Sequence, residues 1–464
     1  MLSTALPGSI DTSGPLAQTA RVNIPVPAAE VIAVAREYVD AGRLDAAARL
    51  LGHVLSAAPD QPAALHLGAT IAQRRGRLTE ATALLRRAGQ TPPVLRDLAE
   101  LLRIQGSPAE ALATARAALR HDPGDPLSLF VVAMAHYDCG ELDACVAAAR
   151  AAIAQRPDMA AAHMRLAQAL LLRGDLAEGW QEYEWRYRIP GAAPPLPAAG
   201  FAQWDGAPMA EPLLLIGDQG YGDVVQFARY LPWARARCPR LVLACSAEIA
   251  PLLAQIAPDI PLVTRWEDAP AFAAYCPLSG LPRLHGTTLA SIPGPAPYLQ
   301  PDPAGVARWR AWLPPARLRV GLAWAGRPAH PNDANRSMPL AALAPLAGFA
   351  DIAFVAVMKD ADATGWQGPA PLAIPNLGDF GDTAGLIAAL DLVIAVDTSA
   401  IHIAGAMGKP AWAMLPSAPD WRWLTGRTDS PWYTSVRLFR SPAPRNYAPV
   451  VADVAAVLAG FTVP

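Results

Sequence analysis

Lysine is almost missing from this chain: Lys359 and Lys409 are the only two, so nearly all of its 38 basic residues are arginines. Against them stand 40 Asp and Glu residues, and the formal net charge is -2. That balance excludes a general electrostatic attraction to nucleic acid or an anionic membrane, which needs a concentrated basic surface. Cysteine is also scarce. The five present, Cys139, Cys145, Cys238, Cys245 and Cys276, are odd in number and lack metal-type spacing, so they read as reduced, mostly buried thiols of a cytoplasmic protein. No apolar run is long enough to span a bilayer; the richest, around 384–415, is cut by Asp391, Asp397 and Lys409. The N-terminal segment has no basic residue ahead of its apolar part, and Asp11, Gly14 and Pro15 interrupt it, which argues against a signal peptide.

What is present in abundance is a repeat. Gly42, Gly76, Gly106, Gly140 and Gly174 are spaced 34, 30, 34 and 34 residues apart, and Pro59, Pro93, Pro123 and Pro157 follow the first four at a constant 17. Between each pair lies an Ala/Leu-rich amphipathic segment such as "GRLDAAARLLGHVLSAAP". The spacing predicts a helical hairpin in which glycine caps one helix in a left-handed conformation and proline ends the next. Small residues at equivalent places, Ala47, Ala81 and Ala111, permit close helix approach, and the 30-residue interval implies one shortened unit. Five units of this kind resemble the tetratricopeptide repeat and would form a superhelix with a concave face for protein partners. The fifth ends in "GDLAEGWQEYEWRYRIP", whose Trp180, Tyr183, Trp185 and Tyr187 fall at helical spacing and are expected to seal the array against the next domain.

From 212 onward the period changes. "PLLLIG", "RLVLAC", "IPLVT", "RVGLAWAG", "IAFVAVM", "LDLVIAV" and "PAWAMLP" read as short buried strands, most of them separated by helices, which predicts an α/β fold with parallel sheets. A Pro-rich region at 292–317 divides it into two Rossmann-like halves, with ligand loops expected at the carboxyl ends of the strands. The expected boundaries are a flexible N-terminus at 1–25, the helical array at 26–190, a linker at 191–211, and halves at 212–300 and 301–464.

Three loops could carry chemistry. In "DLVIAVDTSAIHIAGAMGKPAWAML", Asp397, Thr398 and Ser399 occupy a strand-to-helix turn where free N–H groups and the helix dipole would suit a diphosphate, with His402 one turn in. The alternative is an ordinary N-cap with a half-buried histidine. The loop "RPAHPNDANRSMPL" offers Arg336 as a phosphate grip, or is a solvated loop. "LGDFGDTAGLIAAL" places Asp382 and Thr383 before a helix, as caps or ligand groups. In the first half, "GDQGYGDVVQFARYL" is neither a dinucleotide fingerprint nor a P-loop. Asp223 with Gln226 three residues later also reads as a capping pair. "PDWRWLTGRTDSPWY" adds Arg422 among tryptophans, a weak binding candidate in a segment that is more naturally core.

Taken in order, these segments together with "CPLSGLPRLHGTTLASIP" resemble bacterial proteins that join tetratricopeptide repeats to a GT-B glycosyltransferase-like domain related to the heptosyltransferases. The likeness covers nearly the whole chain. It implies an α superhelix followed by a GT-B-like double Rossmann domain, and an inverting, metal-independent transfer of a sugar from a nucleotide donor to a protein or glycan acceptor, with no cofactor. By resemblance, Asp223 is the general base; Gly220, Gly222 and Gln226 line the acceptor-side loop; and Arg336, Thr398, Ser399, His402, Asp382 and Thr383 hold the donor diphosphate. The loop "HPNDANRS" departs from the family pattern, with Pro331 and Ala334 where further basic residues often stand, leaving Arg336 as its main cation. The alternative is a repeat scaffold whose degenerate domain binds a nucleotide sugar without turning it over.

Overall fold

The computed structural model describes residues 27–189, 191, 196–197, 200–294, 297–330 and 332–462. The expected N-terminal stretch 1–25 and parts of the expected linker lie outside them. The chain divides into two compact units, one ending at Cys139 and the other beginning at Gly140. This division falls inside the repeat array, so its last helices belong with the α/β part.

In the first unit the helices are Ala28–Asp40, Leu44–Ala57, Pro62–Arg74, Leu78–Ala88, Pro92–Ile104, Pro108–His121 and Pro126–Asp138. Gly42, Gly76 and Gly106 all have positive φ, as the phasing predicts. Ala47, Ala81 and Ala111 are fully buried where paired helices meet. The shortened unit is explained by Leu78–Ala88, whose 11 residues end at Gly89. Pro93 differs from expectation. It lies in the first turn of Pro92–Ile104 rather than after a helix, a position where its missing N–H costs nothing.

The second unit begins with the helices Leu142–Gln155, Ala160–Arg173 and Leu176–Tyr183. Two sheets follow. The first contains β1 (Ala202–Gln203), β2 (Leu213–Ile216), β3 (Leu241–Ala244), β4 (Leu262–Val263) and β5 (Ala274–Pro277), in the order β1-β5-β2-β3-β4. The second contains β6 (Leu318–Ala323), β7 (Ile352–Ala356), β8 (Leu392–Val396), β9 (Ala411–Leu415) and β10 (Val436–Arg440), in the order β10-β9-β8-β6-β7. Every pairing between these strands is parallel. Chain order reverses between β2 and β5 in one sheet and between β6 and β8 in the other, creating a crevice at the carboxyl ends of each pair.

Three strands escape the sequence pattern, each for a local reason. β1 is a two-residue edge strand inside the expected linker, placed by parallel pairing with Ala274 and Tyr275. β5 reads "AYCP", with no β-branched residue to mark it. β10 is an edge strand whose Arg437 faces solvent and interrupts the apolar run. The Pro-rich segment 292–317 is likewise more than a divider. Tyr298 and Leu299 both donate backbone hydrogen bonds to the Ala406 carbonyl, and Pro303–Trp312 is helical. No helix among the described residues is long and apolar enough to cross a membrane.

Two glycines of the first unit test the capping argument against each other. Gly76 has φ +73° and nothing within 4 Å of an added Cβ, so Gly76→Ala meets only the backbone penalty; it should lower stability by about 1 kcal/mol. Gly52, inside Leu44–Ala57, has equally open space and ordinary helical geometry, and Gly52→Ala should raise stability by roughly 0.5–1 kcal/mol. Urea unfolding of the two variants should therefore move in opposite directions.

Candidate functional site

The loop after β2 leads into the helix Tyr221–Ala228, whose N-cap residue is Gly220 without a side-chain cap. Asp223 is thus inside the first turn, and the capping pair expected of Asp223 and Gln226 does not form. Both side chains instead meet Arg422. The Arg422 Nη2 pairs with Asp223 Oδ1, Nε donates to Gln226 Oε1 at 2.8 Å, and Nη1 pairs with Asp420 Oδ1 at 2.9 Å. The guanidinium lies over the Trp421 ring, 4.7 Å from its centroid. Arg422 is 7% exposed, whereas a fifth of the Asp223 side chain is open. Burial pushes the Asp223 carboxyl up from 3.8 to about 6, outweighing the pull of Arg422 in the other direction; Asp420, Asp218 and Asp397 add to the rise.

The turn after β8 meets this loop directly. Thr398 is the N-cap residue of the helix Ser399–Ala406, but its hydroxyl makes no capping bond and is buried without a hydrogen-bond partner. His402 Nδ1 lies 2.9 Å from the Tyr433 hydroxyl, and its Nε2 is 4.0 Å from Asp397 Oδ1. Burial first, then Arg422, Arg229 and Arg336, hold His402 well below its ordinary value, so the ring is neutral. Burial also raises Asp397, against Arg422. Gly222 sits on the His402 ring: an added Cβ would fall 2.6 Å from Cδ2.

Arg336, from the loop after β6, reaches the same turn. Its Nη1 donates to the Asp397 carbonyl at 2.9 Å and its Nε lies 3.3 Å from Asp333 Oδ1. Gly326 leaves the room, since a Cβ there would collide with the Arg336 guanidinium. The loop is held rather than loosely solvated. Ser337 Oγ accepts from Gly326 N at 2.9 Å and donates to Asp333 Oδ1 at 2.8 Å.

The structure therefore gathers Asp223, Gly222, Gln226, Arg422, Arg336, Thr398, Ser399 and His402 around the ends of β2, β6 and β8. Asp382 and Thr383 stand apart. Asp382 Oδ1 accepts from Trp309 Nε1 at 2.7 Å and pairs with Arg308, its Oδ2 accepts from Gly378 N at 3.0 Å, and Thr383 Oγ1 donates to the Asp379 carbonyl at 2.9 Å. These bonds hold the start of the helix Phe380–Ala389. Gly220 is adjacent to Asp223, its absent Cβ 3.1 Å from Oδ2.

Sequence reasoning undervalued Arg422 and overlooked Asp420, Tyr433 and a second polar cluster. Asp218 accepts from the Tyr187 hydroxyl at 2.9 Å and from Ser279 N at 3.1 Å, while Arg186 Nη2 donates to Ser279 Oγ at 2.7 Å. This cluster occupies the crevice between β2 and β5. The available signal was Asp218, the other acidic residue of "GDQGYGD". Among the described residues, no group of three or more His, Cys, Asp and Glu side chains is placed to hold a metal ion.

Comparison with known proteins identifies tetratricopeptide repeats at residues 33–94 and 130–192. The chain is similar to Protein FlbA of Caulobacter vibrioides, with 29% identity over 472 residues, taking in 91% of this chain and 78% of FlbA. Similar solved structures cover the repeats. PilF of Pseudomonas aeruginosa is 15% identical, covering 35% of this chain and 77% of its own, with a TM-score of 0.33. A thermophilic TPR protein of Thermus thermophilus is 22% identical, covering 36% of this chain and 93% of its own, with a TM-score of 0.31. The repeats support a role in protein interaction.

Two measurements test the site's geometry. Gly222→Ala drives a methyl group into a buried ring and should destabilise the chain by about 1–3 kcal/mol, read by urea unfolding. Asp223 has a folded value of about 6 against 3.8. A raised value means the folded state binds this proton more tightly, so its stabilising contribution is complete below about pH 4 and lost as pH rises through about 6. Asp223→Asn cannot ionise, and should gain on the wild type by at most about 3 kcal/mol between about pH 4 and about pH 7. A difference independent of pH would contradict the assignment.

Proposed function

We propose that the chain is a metal-independent, inverting glycosyltransferase with a GT-B-like domain, moving a sugar from a nucleotide donor to a protein or glycan presented by the repeats. The observation that carries this reading is the meeting of two loops: the acidic turn bearing Asp223 lies against the turn bearing Thr398, Ser399 and His402, through Gly222 on His402. An ionisable carboxylate with a value of about 6 has useful proton affinity near neutral pH. Its Oδ2 has no hydrogen-bond partner among the described residues and is the natural proton acceptor.

In the proposed reaction the acceptor hydroxyl gives its proton to Asp223 as its oxygen bonds to the anomeric carbon. The bond from that carbon to the donor phosphate oxygen breaks, and its electron pair leaves with the nucleoside diphosphate. Arg336, the free Thr398 hydroxyl and the N–H groups that open the helix Ser399–Ala406 would bind the departing charge. Neutral His402 would act as a hydrogen-bonding group there, without adding positive charge.

A second reading, a scaffold that binds a nucleotide sugar without turnover, is favoured by one contact: Arg422 already engages Asp223 Oδ1. Calorimetric titration with a panel of nucleotide sugars, followed by donor-hydrolysis and transfer assays, separates the readings. For the transferase, one donor binds, Arg336→Ala weakens it by about tenfold, and Asp223→Asn lowers turnover by about 10²–10⁴ while binding persists. Binding without turnover across donors and acceptors would support the scaffold, and no binding at all would remove both.

A further inference from the structure

The helix Leu176–Tyr183 ends the repeat array, yet its aromatic face does not stop at its own hairpin. Trp180 is 1% exposed and meets Trp421 edge-on, with ring centroids 5.1 Å apart and planes at 83°. Tyr183 meets the same ring at 6.3 Å, and Phe227, from the helix that carries Asp223, stacks on it at 6.5 Å. Trp421 is thus held from two sides, and its own face carries the Arg422 guanidinium at 4.7 Å. Arg422 in turn grips Asp223 and Gln226. Trp180 Nε1 is buried with no hydrogen-bond partner, so this position uses the ring's bulk and face rather than its donor.

We propose that Trp180 and Trp421 are positioning residues, through which the last repeat fixes Arg422 against Asp223 and walls that carboxylate from water. The repeat array then contributes a working part of the α/β site in addition to any partner it binds. The consequence for catalysis rests on Asp223 being the base; the packing relay itself does not.

The groups facing Asp223 are Arg422, Asp420, Asp218 and Asp397, and Tyr183 from the repeat helix is coupled to it electrostatically. Burial is the foremost cause of its raised value, ahead of the opposing arginine. Opening the aromatic wall therefore admits water to the carboxylate and favours its charged form.

The decisive experiment observes Asp223 directly in the full chain. Protein made with aspartate 13C-labelled at the side-chain carboxyl is titrated by NMR, and the Asp223 resonance is the one missing from Asp223→Asn. It should titrate near 6 in the wild type. In Trp180→Leu the midpoint should fall by about one pH unit or more, a roughly tenfold loss of proton affinity. Trp180→Phe, which keeps an aromatic face, should restore it. A folded Trp180→Leu with an unmoved midpoint would overturn the proposal, since a purely structural role lowers stability without retuning one carboxylate. Where Trp180→Leu does not fold, Tyr183→Leu gives the same readout, and its midpoint decides in the same way. No nucleotide sugar is present, so failure of the transferase reading is seen separately, as absence of donor binding or turnover. If transfer is found, the acidic limb of its pH profile should move with the NMR midpoint.

Discussion

A guanidinium taken out of water is the constraint around which the second unit is arranged. Desolvating Arg422 costs several kcal/mol unless its donors find acceptors and its charge finds compensation. The acceptors come from two different parts of the chain: Asp223 and Gln226 from the helix after β2, and Asp420 from the segment after β9. None of them suffices alone, so compensation is complete only when the two sheets bring these segments together. That approach presses Gly222 onto His402, where any side chain would collide. It also keeps His402 neutral, because a buried ring near Arg422, Arg229 and Arg336 has no favourable way to carry a further positive charge.

The two crevices created by the reversals of strand order have unlike fates. Between β2 and β5 the space is taken by the chain itself: Asp218 and Ser279 are satisfied by Tyr187 and Arg186. Between β6 and β8 the lining retains unfulfilled capacity, in the unpartnered Thr398 hydroxyl and the open start of a helix whose N-cap makes no side-chain bond. A buried polar group left without a partner is costly. The asymmetry therefore directs a ligand to the second sheet and leaves the first to supply Asp223 from the side.

Much of this was legible in the sequence where a local rule has one solution. The phased glycines required left-handed caps and have them, and the seven apolar runs are strands because short, fully buried parallel strands have little other composition. Legibility failed where long-range contact overrides local preference. Asp223 and Gln226 have the spacing of a cap, but Arg422, about two hundred residues away, claims both side chains. Asp382 and Thr383 read as ligand groups because their chemistry is right, while Trp309 and Arg308, distant in sequence, fix them as struts. Arg422 was masked by its tryptophan neighbours. An arginine in an apolar segment suggests core, and it is indeed buried, but its acceptors could be identified only in three dimensions.

The pairing of Arg422 with Asp223 does not by itself silence the carboxylate, because its two oxygens have different tasks. Oδ1 completes the guanidinium's coordination, while Oδ2 lies beside Gly220, where the missing side chain leaves access. A proton can be received on Oδ2 without first breaking the ion pair. Once Asp223 is neutral the pair weakens, but Asp420 and Gln226 still accept from Arg422, so the buried cation is never left without partners. The same geometry explains how a carboxylate beside an arginine can keep a raised proton affinity. The aromatic enclosure built by Trp180, Tyr183, Trp421 and Phe227 excludes the water that would otherwise stabilise the charge, and that loss outweighs one favourable partner.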